Sequence, residues 1–377
     1  MSDNLRRALL SKIEKADTVV KSDLNLCSTK TSSATSRAMS DDLPTWEDYF
    51  QTNEQVSLKK RGFSFNTYFS LPRPEQIPES SENQSVPIFI FHHGAGSSGL
   101  SFAPLAQSLT ERLDGSCGTY TFDARGHGST APLNTEMSET PDYSLKAFVT
   151  DFQELLSSFY MDHLQTLPEK LKITFVLVGH SLGGSICTNA FQGIDELLRK
   201  KVIGVAMLDI VEEAAILALN TVDSFLNKTP NVFPNYTSAI DWHVQKGLSR
   251  LKTSAQITIP SLFYPTASGK VVRKTNLQTF RPFWDTWFQK LSSKFVSLPT
   301  SKLLILAGDE NLDRELIIGQ MQGKFQLVVF HDSGHFIEED SPIKTAITLI
   351  DFWKRNDTQN VVIKTNWTKK DSPVTLH

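Results

Sequence analysis

Cysteine is scarce in this chain, with three residues among 377. Cys27, Cys117 and Cys187 are odd in number and far apart, which excludes a disulfide framework or a cysteine-based zinc site and fits a reducing compartment. The Asn-X-Ser/Thr triplets, Asn227-Lys228-Thr229 among them, are then chance matches. No apolar run approaches the ~18–20 residues that span a bilayer, so a membrane is not an expected partner. No charge of one sign dominates either. Lys and Arg number 38 and Asp and Glu 41, a net charge of −3, so there is no basic field to hold nucleic acid or anionic lipid. The opening residues, MSDNLRRALLSKIEK, lack the apolar segment of a secretory signal. There is no internal repeat. A soluble intracellular protein is expected. What the chain has in quantity is core material. Hydrophobic residues make up 40%, and 24 of the residues are Phe, enough for one large domain or two ordinary ones.

Residues 1–43 are rich in Ser, Thr and Lys and read as a flexible arm. Leu5, Leu9, Ile13 and Ala16 could line one face of a short helix. Arg6, Arg7, Lys12 and Lys15 would suit a mitochondrial presequence, whereas Asp3, Glu14, Asp17 and Asp23 oppose it, because such peptides avoid acids. A cytoplasmic or nuclear location is the expectation, with mitochondrial targeting as the alternative. The folded domain is expected over residues 44–355, followed by a polar tail at 356–377. Residues 55–70 alternate well enough for one or two antiparallel strands. Residues 71–86 carry three Pro and read as a surface loop.

From Val86 onward short apolar runs alternate with helical periodicity. Strands are expected at Val86–Phe91, Thr119–Asp123, Ile173–Val178, Val202–Leu208, Leu303–Leu306 and Leu327–Phe330. Helices are expected at Leu100–Leu113, Ser144–Tyr160, Ser181–Arg199 and Ile343–Trp353. This alternation predicts an α/β fold with a mostly parallel sheet covered by helices on both faces. Over 90 residues separate Leu208 from Leu303, too many for a structureless loop. A helical cap insertion at about 211–300 is expected there. Its aromatic patch, Phe280, Phe283, Trp284, Trp287 and Phe288, suits either a protein interface or packing of the cap onto the sheet.

The sharpest chemical signal is Gly179-His180-Ser181-Leu182-Gly183-Gly184, between an apolar strand and a helix. That is the setting of a nucleophile elbow, in which flanking glycines permit a tight turn that lifts Ser181 Oγ above the sheet. After an earlier strand comes His92-His93-Gly94-Ala95-Gly96-Ser97-Ser98-Gly99. It can supply one oxyanion donor, the backbone N–H of Ala95, while Leu182 supplies the other. The loop lacks the Lys-Ser/Thr of a phosphate-binding loop. Of the nine His, His335 in Phe330-His331-Asp332-Ser333-Gly334-His335 is the expected base, because it lies between the last strand and the last helix. His331, at the strand end, reads as structural. Position leaves the triad acid open among Asp209, after one strand, and Asp309 or Asp313, after a later one.

These features together describe a serine hydrolase of the α/β-hydrolase fold. Three stretches go further: LLILAGDENLDRELIIGQMQGKFQ at 303–326, Gly179–Gly184, and Met207-Leu-Asp-Ile-Val-Glu-Glu213. In these the chain resembles the protein phosphatase methylesterase family over roughly residues 43–355. The resemblance implies hydrolysis of the methyl ester on the C-terminal leucine of the type 2A protein phosphatase catalytic subunit. It also implies a triad of Ser181, Asp209 and His335, and no metal or organic cofactor. Family members often have Met where this chain has Leu182, a change that leaves the backbone donor in place. Two other functions use the same sequence features: a general carboxylesterase or lipase, and a phosphatase-binding regulator with secondary esterase activity.

Overall fold

The structure, a computed structural model, describes residues 43–357 apart from 74, 76–84, 135–140, 169–170 and 309–310. The expected arm at 1–43, most of the polar loop at 71–86 and the tail at 356–377 therefore fall largely outside the described residues. So does Asp309.

A nine-stranded sheet organises the chain. Its strands are β1 (Thr52–Leu58), β2 (Phe63–Ser70), β3 (Ser85–His92), β4 (Gly118–Phe122), the short β5 (Ala131–Pro132), β6 (Lys172–His180), β7 (Val202–Leu208), β11 (Ser301–Ala307) and β12 (Gln326–Phe330). Between β7 and β11 lie β8 (Val232–Phe233), β9 (Phe263–Pro265) and β10 (Val271–Arg273). The main order is β1-β2-β4-β3-β6-β7-β11-β12, with β5 on β2. Pairing is antiparallel at β1–β2 and β2–β4, and parallel from β4 onward.

The continuous apolar runs follow from this topology. A parallel strand inside the sheet must bury side chains on both faces. In β6, Phe175 and Leu177 join one core, whereas Val176 and Val178 join the other. The first core receives Phe148, Phe152 and Leu155 of the helix Leu145–Phe159 and Ile186 of the helix Leu182–Ala190. The second receives Leu105 and Leu109 of the helix Ala103–Arg112, and Leu349 and Phe352 of the helix Pro342–Asn356.

Several elements depart from the sequence expectation for local reasons. Ser144 is not helical but caps the helix that follows, accepting a hydrogen bond from the Ala147 N–H at 3.3 Å. The helix expected at Ser181–Arg199 breaks. Gln153 Nε2 donates to the Ala190 carbonyl at 2.8 Å, Phe191–Gly193 tightens into a 3-10 turn, and Asp195 caps a new short helix, Glu196–Arg199.

The segment between β7 and β11 carries helices at Glu212–Lys228, Tyr236–Gln245, Lys252–Ser261 and Leu291–Ser297. It also holds a small antiparallel sheet, β8-β10-β9, which periodicity did not suggest. That sheet has its own core of Phe233, Ile240, Ile259, Phe263 and Val271. Of the aromatic patch, Phe280, Trp284, Trp287 and Phe288 are buried in the first core, and Trp287 Nε1 donates to the Tyr143 carbonyl at 2.9 Å. These four are packing residues. The exposed large apolar side chains of the segment lie elsewhere, at Ile216, Leu217, Phe225, Val232, Leu251 and Tyr264. No helix among the described residues is long and apolar enough to cross a membrane.

Candidate active site

Three loops at the C-terminal ends of parallel strands meet: those after β6, β7 and β12. The first holds Ser181, with φ 50° and ψ −118°. The turn is possible only because Gly179 and Gly183 lack side chains. A Cβ on Gly179 would lie 2.2 Å from the Gly183 backbone, and one on Gly183 would lie 2.0 Å from the His92 carbonyl oxygen. The Ser181 N–H donates to the Leu208 carbonyl at 2.9 Å, which ties the elbow to the end of β7.

The second loop holds Asp209, also at positive φ (48°). Among the described residues only four non-glycine residues have positive φ, and Ser181 and Asp209 are two of them. Each such residue stores roughly 1–3 kcal/mol of strain, which the surrounding bonds hold in place. The Asp209 carboxylate is 3% exposed. Its Oδ1 accepts from the Ala307 N–H at 2.7 Å, and its Oδ2 lies 2.8 Å from His335 Nδ1. Since the carboxylate can only accept, Nδ1 carries the proton and Nε2 is left as the basic nitrogen.

The remaining acid candidate within the described residues has a different occupation. Asp313 caps the helix Arg314–Met321, accepting from the Leu316 N–H at 3.0 Å, and it also accepts from Ser292 Oγ. His331 is exposed and one residue past β12.

Leu182 is the first residue of the helix Leu182–Ala190, where backbone N–H groups have no acceptor inside the helix. Facing it, the loop after β3 comes close to the serine: a Cβ on Gly94 would stand 3.1 Å from Ser181 Cβ. Ala95 follows directly. Three buried imidazoles brace this loop. His127 Nε2 accepts from the Gly96 N–H at 2.9 Å, His93 Nε2 accepts from the Ala124 N–H at 2.9 Å, and His92 Nδ1 donates to the His93 carbonyl at 2.9 Å. The sequence marked His127 only as part of a loop; its partner lies 31 positions away.

A fourth buried imidazole holds His335. His180 Nε2 donates to the His335 carbonyl at 2.8 Å, and His180 Nδ1 faces Glu338 Oε1 at 3.1 Å. Burial pushes His180 well below its ordinary value and Glu338 well above. Burial therefore favours the neutral form of both groups, and neither His180 Nδ1 nor the Glu338 carboxyl oxygens have a hydrogen-bond partner among the described residues. Sequence reasoning missed Glu338, because Glu338-Glu339-Asp340 reads as a solvated acidic run.

Stability should vary with pH accordingly. Burial lowers His92 to about 3 and His243 to about 4, and it also lowers His93, His127 and His180, all from 6.5. An imidazole lowered by folding takes up its proton more readily when unfolded, so its contribution is lost as pH falls below 6.5. Glu338 and Glu339 are raised from 4.5 by burial, Glu339 to about 8. They bind protons more readily when folded, so their contribution is present below 4.5 and is lost as pH rises towards 8. Each unbalanced proton is worth about 1.4 kcal/mol per pH unit. The imidazoles outnumber the carboxyls, so Tm is expected to peak near pH 6.5. It should fall steeply towards pH 5 and gently towards pH 8. Scanning calorimetry across that range checks this, and a Tm that rises on acidification contradicts it.

Among the described residues no group of three or more His, Cys, Asp or Glu could hold a metal ion. Comparison with known proteins agrees on the fold and narrows the family. A family model described as the alpha/beta hydrolase family matches residues 89–347. The chain is 59% identical over 342 residues to protein phosphatase methylesterase 1 of Saccharomyces cerevisiae, covering 90% of this chain and 84% of that protein. It is 58% identical over 322 residues to the protein of the same name from Candida glabrata, covering 85% and 81%. Among solved structures, E-2-(acetamidomethylene)succinate hydrolase is similar with a TM-score of 0.60. The match covers 80% of this chain and 99% of that one at 17% identity, a likeness of fold.

Proposed function

We propose, from the premise that the chain belongs to the protein phosphatase methylesterase family of α/β hydrolases, that its triad is Ser181, Asp209 and His335. Its substrate is the methyl ester on the C-terminal leucine of the type 2A protein phosphatase catalytic subunit. The observation that supports the chemistry best is the contact between His335 Nδ1 and a buried Asp209 carboxylate across 126 residues, beside a serine on a strained elbow.

In this reading Ser181 Oγ attacks the ester carbonyl as His335 Nε2 takes its proton. Asp209 stabilises the imidazolium and holds its tautomer. The oxyanion of the tetrahedral intermediate rests on the N–H groups of Ala95 and Leu182. His335 then gives the proton to the departing methoxide, and methanol leaves. Water, activated by the same nitrogen, hydrolyses the acyl-enzyme and frees the leucine carboxylate. The reaction uses no metal or cofactor, and the segment 211–300 serves as a cap beside the reacting centre. The partner is the phosphatase; neither nucleic acid nor a membrane takes part.

The test is a demethylation assay on intact, methylated phosphatase catalytic subunit. Wild type should release one methanol for each methyl ester lost, and it should act faster on the intact subunit than on unrelated small esters. Rapid turnover of many small esters with no action on the methylated subunit would instead make the protein a general carboxylesterase.

A further inference from the structure

Beside the oxyanion loop lies a cavity of about 360 Å³. Ala95 and Gly96 form one side of it and Phe336, next to His335, another. Leu226, Leu248, Ile259, Leu262 and Leu277 supply apolar wall. Into this lining comes one permanent cation, Arg273, from the central strand of the small sheet β8-β10-β9.

Arg273 is anchored but not neutralised. Its guanidinium lies 4.9 Å from the centroid of the Phe263 ring. One terminal nitrogen donates to His243 Nε2 at 3.3 Å, and His243 in turn donates from Nδ1 to the Ala239 carbonyl at 2.7 Å. Nε is buried with no hydrogen-bond partner among the described residues. No carboxylate there forms an ion pair with Arg273 either. The one acid that shares the cavity is Glu339, which accepts from Thr258 Oγ1 at 2.9 Å. Burial raises Glu339 to about 8 and lowers Arg273 only to about 10, so at neutral pH the acid is largely uncharged and the guanidinium is charged.

A buried charge without a counterion is costly, and hydrogen bonds to neutral groups offset only part of that cost. A planar guanidinium that lines a cavity without an ion-pair partner among the described residues matches a carboxylate, which can take two parallel hydrogen bonds. We propose that this cavity receives the residues preceding the esterified leucine, and that Arg273 pairs there with a carboxylate side chain of the substrate. The assignment rests on reading Ser181 as the nucleophile of a C-terminal methylesterase. It adds a specificity determinant: an acidic residue a few positions before the terminal leucine.

Binding and turnover separate the two readings. Peptides ending in leucine methyl ester are made with a single Asp placed one to five positions before the leucine, each paired with its Asn counterpart. Affinities are measured by fluorescence anisotropy on the full chain carrying Ser181→Ala, which binds without turnover. At one position the Asp peptide should bind about tenfold more tightly than the Asn peptide. Adding Arg273→Gln should abolish that preference, and adding Arg273→Lys should retain part of it. With active enzyme, Arg273→Gln should raise KM for the Asp peptide about tenfold while raising KM for the paired Asn peptide little. No acid preference at any position overturns the proposal, as does a preference that survives Arg273→Gln. If Arg273→Gln lowers Tm sharply without changing selectivity, the guanidinium only braces His243 and Phe263, and the proposal fails. Hydrolysis of esters without acid preference would leave the esterase reading standing, whereas acid-selective binding without any hydrolysis would remove that reading and keep the Arg273 site.

Discussion

Replacing Ser181 by Ala is expected to reduce ester hydrolysis by about a million-fold, the scale seen when a triad nucleophile is removed. The fold should survive. The elbow is held by backbone bonds that the substitution leaves in place: Ser181 N–H to the Leu208 carbonyl and Gly184 N–H to the Ser181 carbonyl, both 2.9 Å. Ala tolerates the same positive φ no worse than Ser. A fluorophosphonate probe should label wild type at Ser181 and leave the variant unlabelled, with melting temperatures within a few degrees of each other. Labelling at another serine, or activity that persists in the variant, would put the nucleophile elsewhere.

The second large effect is expected at Asp209→Asn, a loss of about 10⁴-fold in kcat. The structure supplies the reason. Oδ1 faces the Ala307 N–H, a donor, so the amide oxygen of Asn must take that side and its NH₂ must face His335. A donor against Nδ1 forces the imidazole proton onto Nε2, where the base is needed. Asp313→Asn keeps an oxygen that can accept from the Leu316 N–H, so it should largely preserve the helix cap and change activity by no more than a few-fold. Measuring kcat for both variants on one substrate decides between the two strand ends. Greater damage at Asp313 would mean that Asp209 is not the acid.

The architecture was legible in the sequence for a local reason. Strands buried on both faces must be apolar throughout, and β3, β6, β7 and β11 are almost entirely buried. The elbow was legible for a similar one, since Gly179 and Gly183 stand where any Cβ would strike backbone. The order of strand, loop and helix around His335 made it the expected base, and the structure sets its Nδ1 against Asp209. Hydrophobicity alone could not tell a core aromatic from an interface aromatic. The burial of Phe280, Trp284, Trp287 and Phe288 came from the way residues 277–288 fold back onto the first core. Nor could a run of three acids reveal that Glu338 and Glu339 point inward at His180 and Thr258.

The choice between candidate acids shows where sequence ends and tertiary structure begins. From position alone Asp209 and Asp313 each followed a parallel strand, and only resemblance to a family favoured the first. What places Asp209 against His335 is the neighbourhood of β7, β11 and β12 in the sheet. The Asp209 N–H donates to the Ile305 carbonyl at 2.8 Å and its Oδ1 accepts from Ala307, so β11 itself orients the carboxylate. Glycine sterics, helix caps and apolar runs act within a few residues and can be read along the chain. A contact spanning 126 residues depends on which strands lie side by side, and only the folded sheet decides that.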